Sequence, residues 1–124
     1  MKFLGLRTIV IKVDDIVAAR EWYTEVLGTK PYFDEPFYVG FNVAGYELGL
    51  QPKERISDVP SSAVTPYWGV EDVESAYQRL LSLGATSVEA PVNVGGPLVV
   101  ASVSDPWGNV FGIIFNPEFT PDKV

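Results

Sequence analysis

The chain has 124 residues, 47% of them hydrophobic, with no cysteine and no histidine. That is enough apolar surface for one compact folded domain, and it excludes disulfides, thiolate metal sites and any catalytic pairing of a nucleophile with histidine. Nine basic against sixteen acidic residues leave a formal charge of −7, which opposes nucleic-acid binding and is compatible with plain solubility or a cationic ligand.

No run approaches the roughly 18 apolar residues that span a bilayer. The start, Met1-Lys2-Phe3-Leu4-Gly5-Leu6-Arg7, carries charge too early for a signal peptide. A cytoplasmic protein without a membrane partner is expected.

Residues 6–13 (LRTIVIKV) are rich in β-branched side chains and read as a strand. Asp15 stands where a helix N-cap belongs, Ile16, Ala19, Trp22, Tyr23, Val26 and Leu27 recur at helical spacing, and Gly28 supplies the stop. Pro31 and Pro36 bracket a short extended piece around Tyr32-Phe33. Residues 37–43 and 46–50 read as a hairpin turned at Ala44-Gly45, and the polar stretch 51–62, with Pro52 and Pro60, as a linker. Residues 64–70 form the next strand, where Pro66 points to an edge position or a bulge. Asp72 is a second N-cap. Val73, Ala76, Tyr77, Leu80 and Leu81 make the buried stripe of a second helix, closed by Gly84. Residues 87–91 are extended, Gly95-Gly96-Pro97 is a turn, and 98–104 and 110–115 are strands joined by the turn Asp105-Pro106-Trp107-Gly108-Asn109. Asp first, Pro second and Gly fourth suit a type I turn. The tail after Pro117 is expected to be loosely held.

Val13-Asp14-Asp15-Ile16 and Val70-Glu71-Asp72-Val73 open two similar stretches, which end at Leu27-Gly28 and Leu83-Gly84. One unit of strand, helix and three strands is therefore used twice, over about 4–52 and 63–117, within a single domain.

With Val13-Asp14-Asp15-Ile16, the helix end Trp22-Tyr23-Thr24-Glu25-Val26-Leu27-Gly28, and the closing Asp105-Pro106-Trp107-Gly108-Asn109-Val110-Phe111-Gly112, the chain resembles the vicinal oxygen chelate superfamily. That group holds glyoxalase I, bleomycin-resistance proteins and extradiol dioxygenases. The resemblance implies an α+β fold of two βαβββ modules forming an eight-stranded cup-like mixed sheet, in a homodimer. It also implies metal ligands of the His or Gln type on the first strand of each module and of the Glu type on the last.

Aligned through the repeat, those positions read Thr8, Gly49, Thr65 and Gly112. Glu47 and Gln51 share the side of the strand that carries Gly49 and are the alternatives at that position. Transition metals need imidazole, carboxylate or thiolate donors, so no metal and no cofactor are expected here. The remaining general-base candidates are Glu47 and Glu25, of which Glu25 falls on the solvent side of the first helix, and either reads equally well as an ordinary exposed carboxylate. No phosphate-cradling loop is present, since Gly95-Gly96-Pro97 has neither the lysine nor the following helix it would need.

Alternation places Thr8, Val10, Glu47, Gly49, Gln51, Thr65, Tyr67, Gly112 and Ile114 toward the cup. Small residues at the four ligand positions are expected to leave an open, mostly apolar hollow. Phe37, Tyr38, Phe41, Tyr67 and Trp107 are candidates for stacking on a flat or cationic guest, with Trp107 at the mouth. Core packing is the plain alternative for the aromatics. The expectation is a metal-independent binding protein of the glyoxalase/bleomycin-resistance type that sequesters a small aromatic or cationic ligand. The alternatives are a glyoxalase-, epimerase- or dioxygenase-like enzyme with non-standard catalytic residues, and a module whose cup is vestigial.

Overall fold

A computed structural model describes residues 1–54, 60 and 63–119, and the chain divides into two compact units, Met1–Pro60 and Ser61–Val124. The first holds β1 (Thr8–Val13), α1 (Ile16–Leu27), β2 (Phe33–Glu35), β3 (Tyr38–Val43) and β4 (Tyr46–Pro52). The second holds β5 (Tyr67–Gly69), α2 (Val73–Ser82), β6 (Thr86–Gly95), β7 (Leu98–Ser104) and β8 (Val110–Phe115). Both are βαβββ modules, and each forms a four-stranded mixed sheet, ordered β1-β4-β3-β2 and β5-β8-β7-β6. The first strand of each runs parallel to the last.

In the first unit, strand alternation divides the sheet into two faces. Ile9 pairs with Leu48 and Leu48 with Phe41, while Ile11 pairs with Leu50 and Leu50 with Val39. This face meets α1, where Ala19 and Tyr23 are buried, and Val13, Val39, Phe41, Leu48 and Leu50 are buried against it. Removing each such branched or aromatic side chain from water contributes about 1.5–3 kcal/mol. The second unit repeats the plan. Ala101, Val103, Phe111 and Ile113 pack with Val73, Tyr77 and Leu80 of α2, and the Tyr77 hydroxyl donates to Ser87 Oγ at 2.7 Å.

Helix entry follows the capping chemistry. Asp15 Oδ1 accepts from the backbone N–H groups of Val17 and Ala18, and Asp72 Oδ1 accepts from that of Ser75. Gly28 closes α1 in the left-handed region at φ 68°. The β3–β4 hairpin turns through Ala44 (φ 52°) and Gly45 (φ 93°), as a two-residue turn with two positive φ angles requires. Asn42 Oδ1 holds it by accepting from the Gly45 N–H at 2.8 Å.

Several strand limits differ from the sequence expectation. β1 begins at Thr8, and residues 64–70 contribute only Tyr67–Gly69. Pro66 has no N–H to give, yet its carbonyl still accepts from Gly112 N–H at 2.8 Å, and β5 lies on the sheet edge. The piece at 87–91 extends to Thr86–Gly95, carried past Pro91 by register shifts against β7. Of the expected linker, Gln51 and Pro52 complete β4, while 55–59 and 61–62 lie outside the described residues, as do 120–124 of the tail. Among the described residues, no helix is long and apolar enough to cross a membrane.

Candidate functional site

The face of the first sheet turned away from α1 carries Thr8, Val10 and Lys12 from β1, Glu47, Gly49 and Gln51 from β4, and Tyr38, Gly40 and Asn42 from β3. Phe33 and Glu35 of β2 join it opposite Gly40 and Tyr38. Gly40 and Gly49 are paired across the hairpin and form a floor without side chains. The Tyr38 ring lies over that floor: a Cβ on Gly49 would overlap the Tyr38 hydroxyl and stand 2.6 Å from Cζ. A Cβ on Gly40 would stand 3.0 Å from Tyr32 Cε1 and 3.1 Å from Glu47 Oε2. Glycine at both positions is what lets two phenol rings and a carboxylate converge.

Glu47 is the hub of this cluster. Tyr32 Oη donates to its Oε1 at 2.7 Å, and Tyr38 Oη donates to its Oε2. Burial, then the hydrogen bond to Glu47, pushes the Tyr38 phenol well above its ordinary value. Tyr32 is raised as well, chiefly by its own bond to Glu47. Both phenols therefore remain protonated donors at neutral pH. Around them stand Phe33 and Phe37, edge to face with centroids 6.1 Å apart, with Phe33 also 6.1 Å from Tyr38. Tyr32, Phe33 and Phe37 are exposed, at 63%, 39% and 64%. Solvent-facing aromatic rings are thus gathered beside a carboxylate.

The second unit has a related arrangement. Tyr67 pairs with Gly112 as Val10 pairs with Gly49, and a Cβ on Gly112 would run into the Tyr67 ring. Ser102 and Glu89 continue this row across β7 and β6. Ile114 and Val100 form the next row. Ser102 and Glu89 are the polar members of this face, while Ile114 and Val100 are apolar.

Most of the sequence-derived site residues thus fall on the faces turned away from the helices: Thr8, Val10, Glu47, Gly49 and Gln51 in one unit, Tyr67, Gly112 and Ile114 in the other. Thr65 lies just before β5, and Trp107 sits half-buried in the β7–β8 turn. Phe37, exposed at the β2–β3 turn, borders the Glu47 cluster. Phe41 is the correction. It is 0% exposed, because its place on β3 turns it with Val39 toward α1, so it is core and lines no ligand surface. The expected openness over the glycines is also revised, since a tyrosine ring of the same unit covers each one. Glu25 is exposed on α1, as expected. Tyr32, Phe33 and Gly40 were not in the expected set. The Gly40–Gly49 pairing was legible, since a two-residue turn at Ala44-Gly45 fixes it, whereas Tyr32 reaches Glu47 from outside any strand.

The family's metal can be tested against these residues. Thr8 and Thr65 offer neutral hydroxyls, and Gly49 and Gly112 offer nothing and lie under tyrosine rings. Glu47 already accepts a phenol on each oxygen. Among the described residues, no group of three or more Asp or Glu side chains could hold a metal ion. A divalent transition metal does not fit this donor set.

A family model for the Glyoxalase/Bleomycin resistance protein/Dioxygenase superfamily matches residues 5–113. The chain belongs to this superfamily. Its fold recurs in a glyoxalase-related enzyme from Fulvimarina pelagi, at 20% identity and a TM-score of 0.78 over 97% of this chain and 94% of that one. A glyoxalase/bleomycin resistance protein/dioxygenase family enzyme from Burkholderia phytofirmans PsJN gives 22% identity and a TM-score of 0.77, covering 90% and 98%. A member from Sphaerobacter thermophilus DSM 20745 gives 21% and 0.75, covering 92% and 98%. No curated protein matches the sequence. At these identities the likeness carries the fold, and function must come from the site.

Proposed function

We propose that this superfamily member is a metal-independent small-molecule binding protein, whose ligand rests on the aromatic face of the first unit around Glu47. The observation that carries this reading is that the Tyr38 and Tyr67 rings lie over Gly49 and Gly112, the positions at which the superfamily resemblance implies coordinating side chains. What remains is a set of flat apolar rings with phenol, hydroxyl, amide and carboxylate handles, the composition of a site that holds an aromatic or cationic molecule by stacking and hydrogen bonds. A glyoxalase-, epimerase- or dioxygenase-like activity would need a Lewis acid that these donors do not suit.

Elemental analysis of purified protein tests this directly, together with mass spectrometry of small molecules released on denaturation. The expected result is no stoichiometric transition metal and a co-purifying or added planar compound that raises the melting temperature by mass action. A stoichiometric metal whose removal abolishes ligand binding would overturn the reading.

A further inference from the structure

We infer that the ligand is a protonated amine attached to an aromatic or otherwise planar group, with its N–H directed at the Glu47 carboxylate; this deepens the binding reading above and rests on it. A carboxylate has about four lone-pair sites. Tyr32 and Tyr38 each use one, on different oxygens, which leaves further acceptor capacity on both. The phenols fix the carboxylate without neutralising it, because both stay protonated. Arg20, on α1, pairs with Glu21 at 2.8 Å and with Asp34 at 3.3 Å, and Asp34 lies on the opposite side of β2 from Phe33 and Glu35, so this guanidinium belongs to the other face of the sheet.

The charged and titratable groups on the Glu47 face are Lys12, Glu35, Glu47, Lys53, Tyr32 and Tyr38. Glu47 shares its row with the uncharged Thr8 and Asn42, whereas Lys12 stands beside Gln51 and Lys53 follows just past the end of β4, so no ammonium stands in the row of Glu47 and its carboxylate favours a cation. The rings of Phe33, Phe37 and Tyr32 are exposed beside it. They supply π faces for a cation and a flat surface for the group that carries it. Free acceptor positions on an anchored carboxylate distinguish this site from one for a quaternary ammonium. An ammonium N–H makes a charge-assisted hydrogen bond there, which a fully alkylated nitrogen cannot.

The test uses the full chain and three probes of nearly one shape: 2-naphthylmethylammonium, its N,N,N-trimethyl analogue and the neutral 2-naphthylmethanol, titrated by calorimetry at neutral pH. The amine is expected to bind about tenfold or more tightly than the alcohol, with the trimethyl compound between them. Glu47→Gln, which keeps the shape and can still accept from the phenols, should erase the preference for the amine. Tyr32→Phe, at an exposed ring, should keep or increase it by removing a competing donor. Wild-type protein gives a check that needs no variant: affinity for the amine should fall as pH passes the amine's own pKa, while affinity for the alcohol stays level. Equal binding of amine and alcohol, or an unchanged preference in Glu47→Gln, overturns the amine inference while leaving an aromatic-binding protein in place. Binding of none of the three overturns it too, and the broader reading then stands or falls on the compounds released from purified protein.

Discussion

Gly49 and Tyr38 form a matched pair. The ring occupies the volume that any larger residue at 49 would claim, and its hydroxyl is anchored on Glu47. Gly49→Ala should therefore push the ring aside and lower unfolding stability by about 1–3 kcal/mol, the usual cost of overpacking. Combining it with Tyr38→Ala should recover part of that loss, giving a coupling measurable by a double-mutant cycle in urea. The same pair explains why a metal site cannot be restored by placing Glu at 49 alone. Tyr38 must be removed as well, and Tyr67 removed for a Glu at 112. A second residue-level case is Asp105, only 3% exposed, whose Oδ1 accepts from the N–H groups of Trp107 at 2.9 Å and Asn109 at 2.8 Å. Asp105→Ala leaves those donors without this partner and should cost about 2–4 kcal/mol by equilibrium denaturation.

Among the secondary-structure elements, the turn and the caps carry the clearest consequences. Ala44 is the one non-glycine residue described with positive φ, in a turn whose companion is Gly45. Ala44→Gly removes the Cβ penalty of the left-handed region, partly offset by greater freedom of the unfolded chain, and should add about 0.5–1 kcal/mol of stability. Asp72 caps α2, and its carboxyl is held below its ordinary value of 3.8, first by the backbone N–H of Ser75 and then by that residue's hydroxyl. A depressed folded pKa means the unfolded chain takes up the proton first. The cap's contribution is therefore complete above the unfolded value and is lost as pH falls through the lower folded value. The stability difference between wild type and Asp72→Ala should stay level near neutrality and narrow on the acid side of 3.8, as followed by denaturation at a series of pH values.

For the whole molecule, two βαβββ units each enclose their own core, with Phe41 and Leu50 at the centre of one and Val103 and Ala101 in the other. Each core is built from apolar side chains, so folding is expected to need no ion. Dialysis against EDTA should leave the melting temperature unchanged, and nickel or zinc should give no saturable binding isotherm; a chelator-induced fall in melting temperature would contradict this.

The fold was legible because it is written in local signals: Asp15 and Asp72 before helical stripes, Gly28 after one, alternation along β3, β4, β7 and β8, and the Asp105–Asn109 turn. Such signals act over a few residues, so a linear reading reaches them. The absence of histidine and cysteine was equally plain, and with it the poor case for a metal. The Tyr32–Glu47–Tyr38 cluster was only partly legible. Glu47 follows from alternation, but of the two roles open to Phe41, stacking and core packing, the structure shows the core, and tyrosine rings stand over Gly49 and Gly112 where an open hollow is expected. Pairing fixes which backbone positions meet, whereas the direction in which a long side chain leans depends on which neighbours leave room for it. By itself the sequence determined the elements, the repeated unit and the absence of imidazole and thiol side chains. Only the tertiary structure decided that tyrosine rings lie over Gly49 and Gly112 and that two phenols converge on one carboxylate, because both depend on side-chain volumes brought together in space.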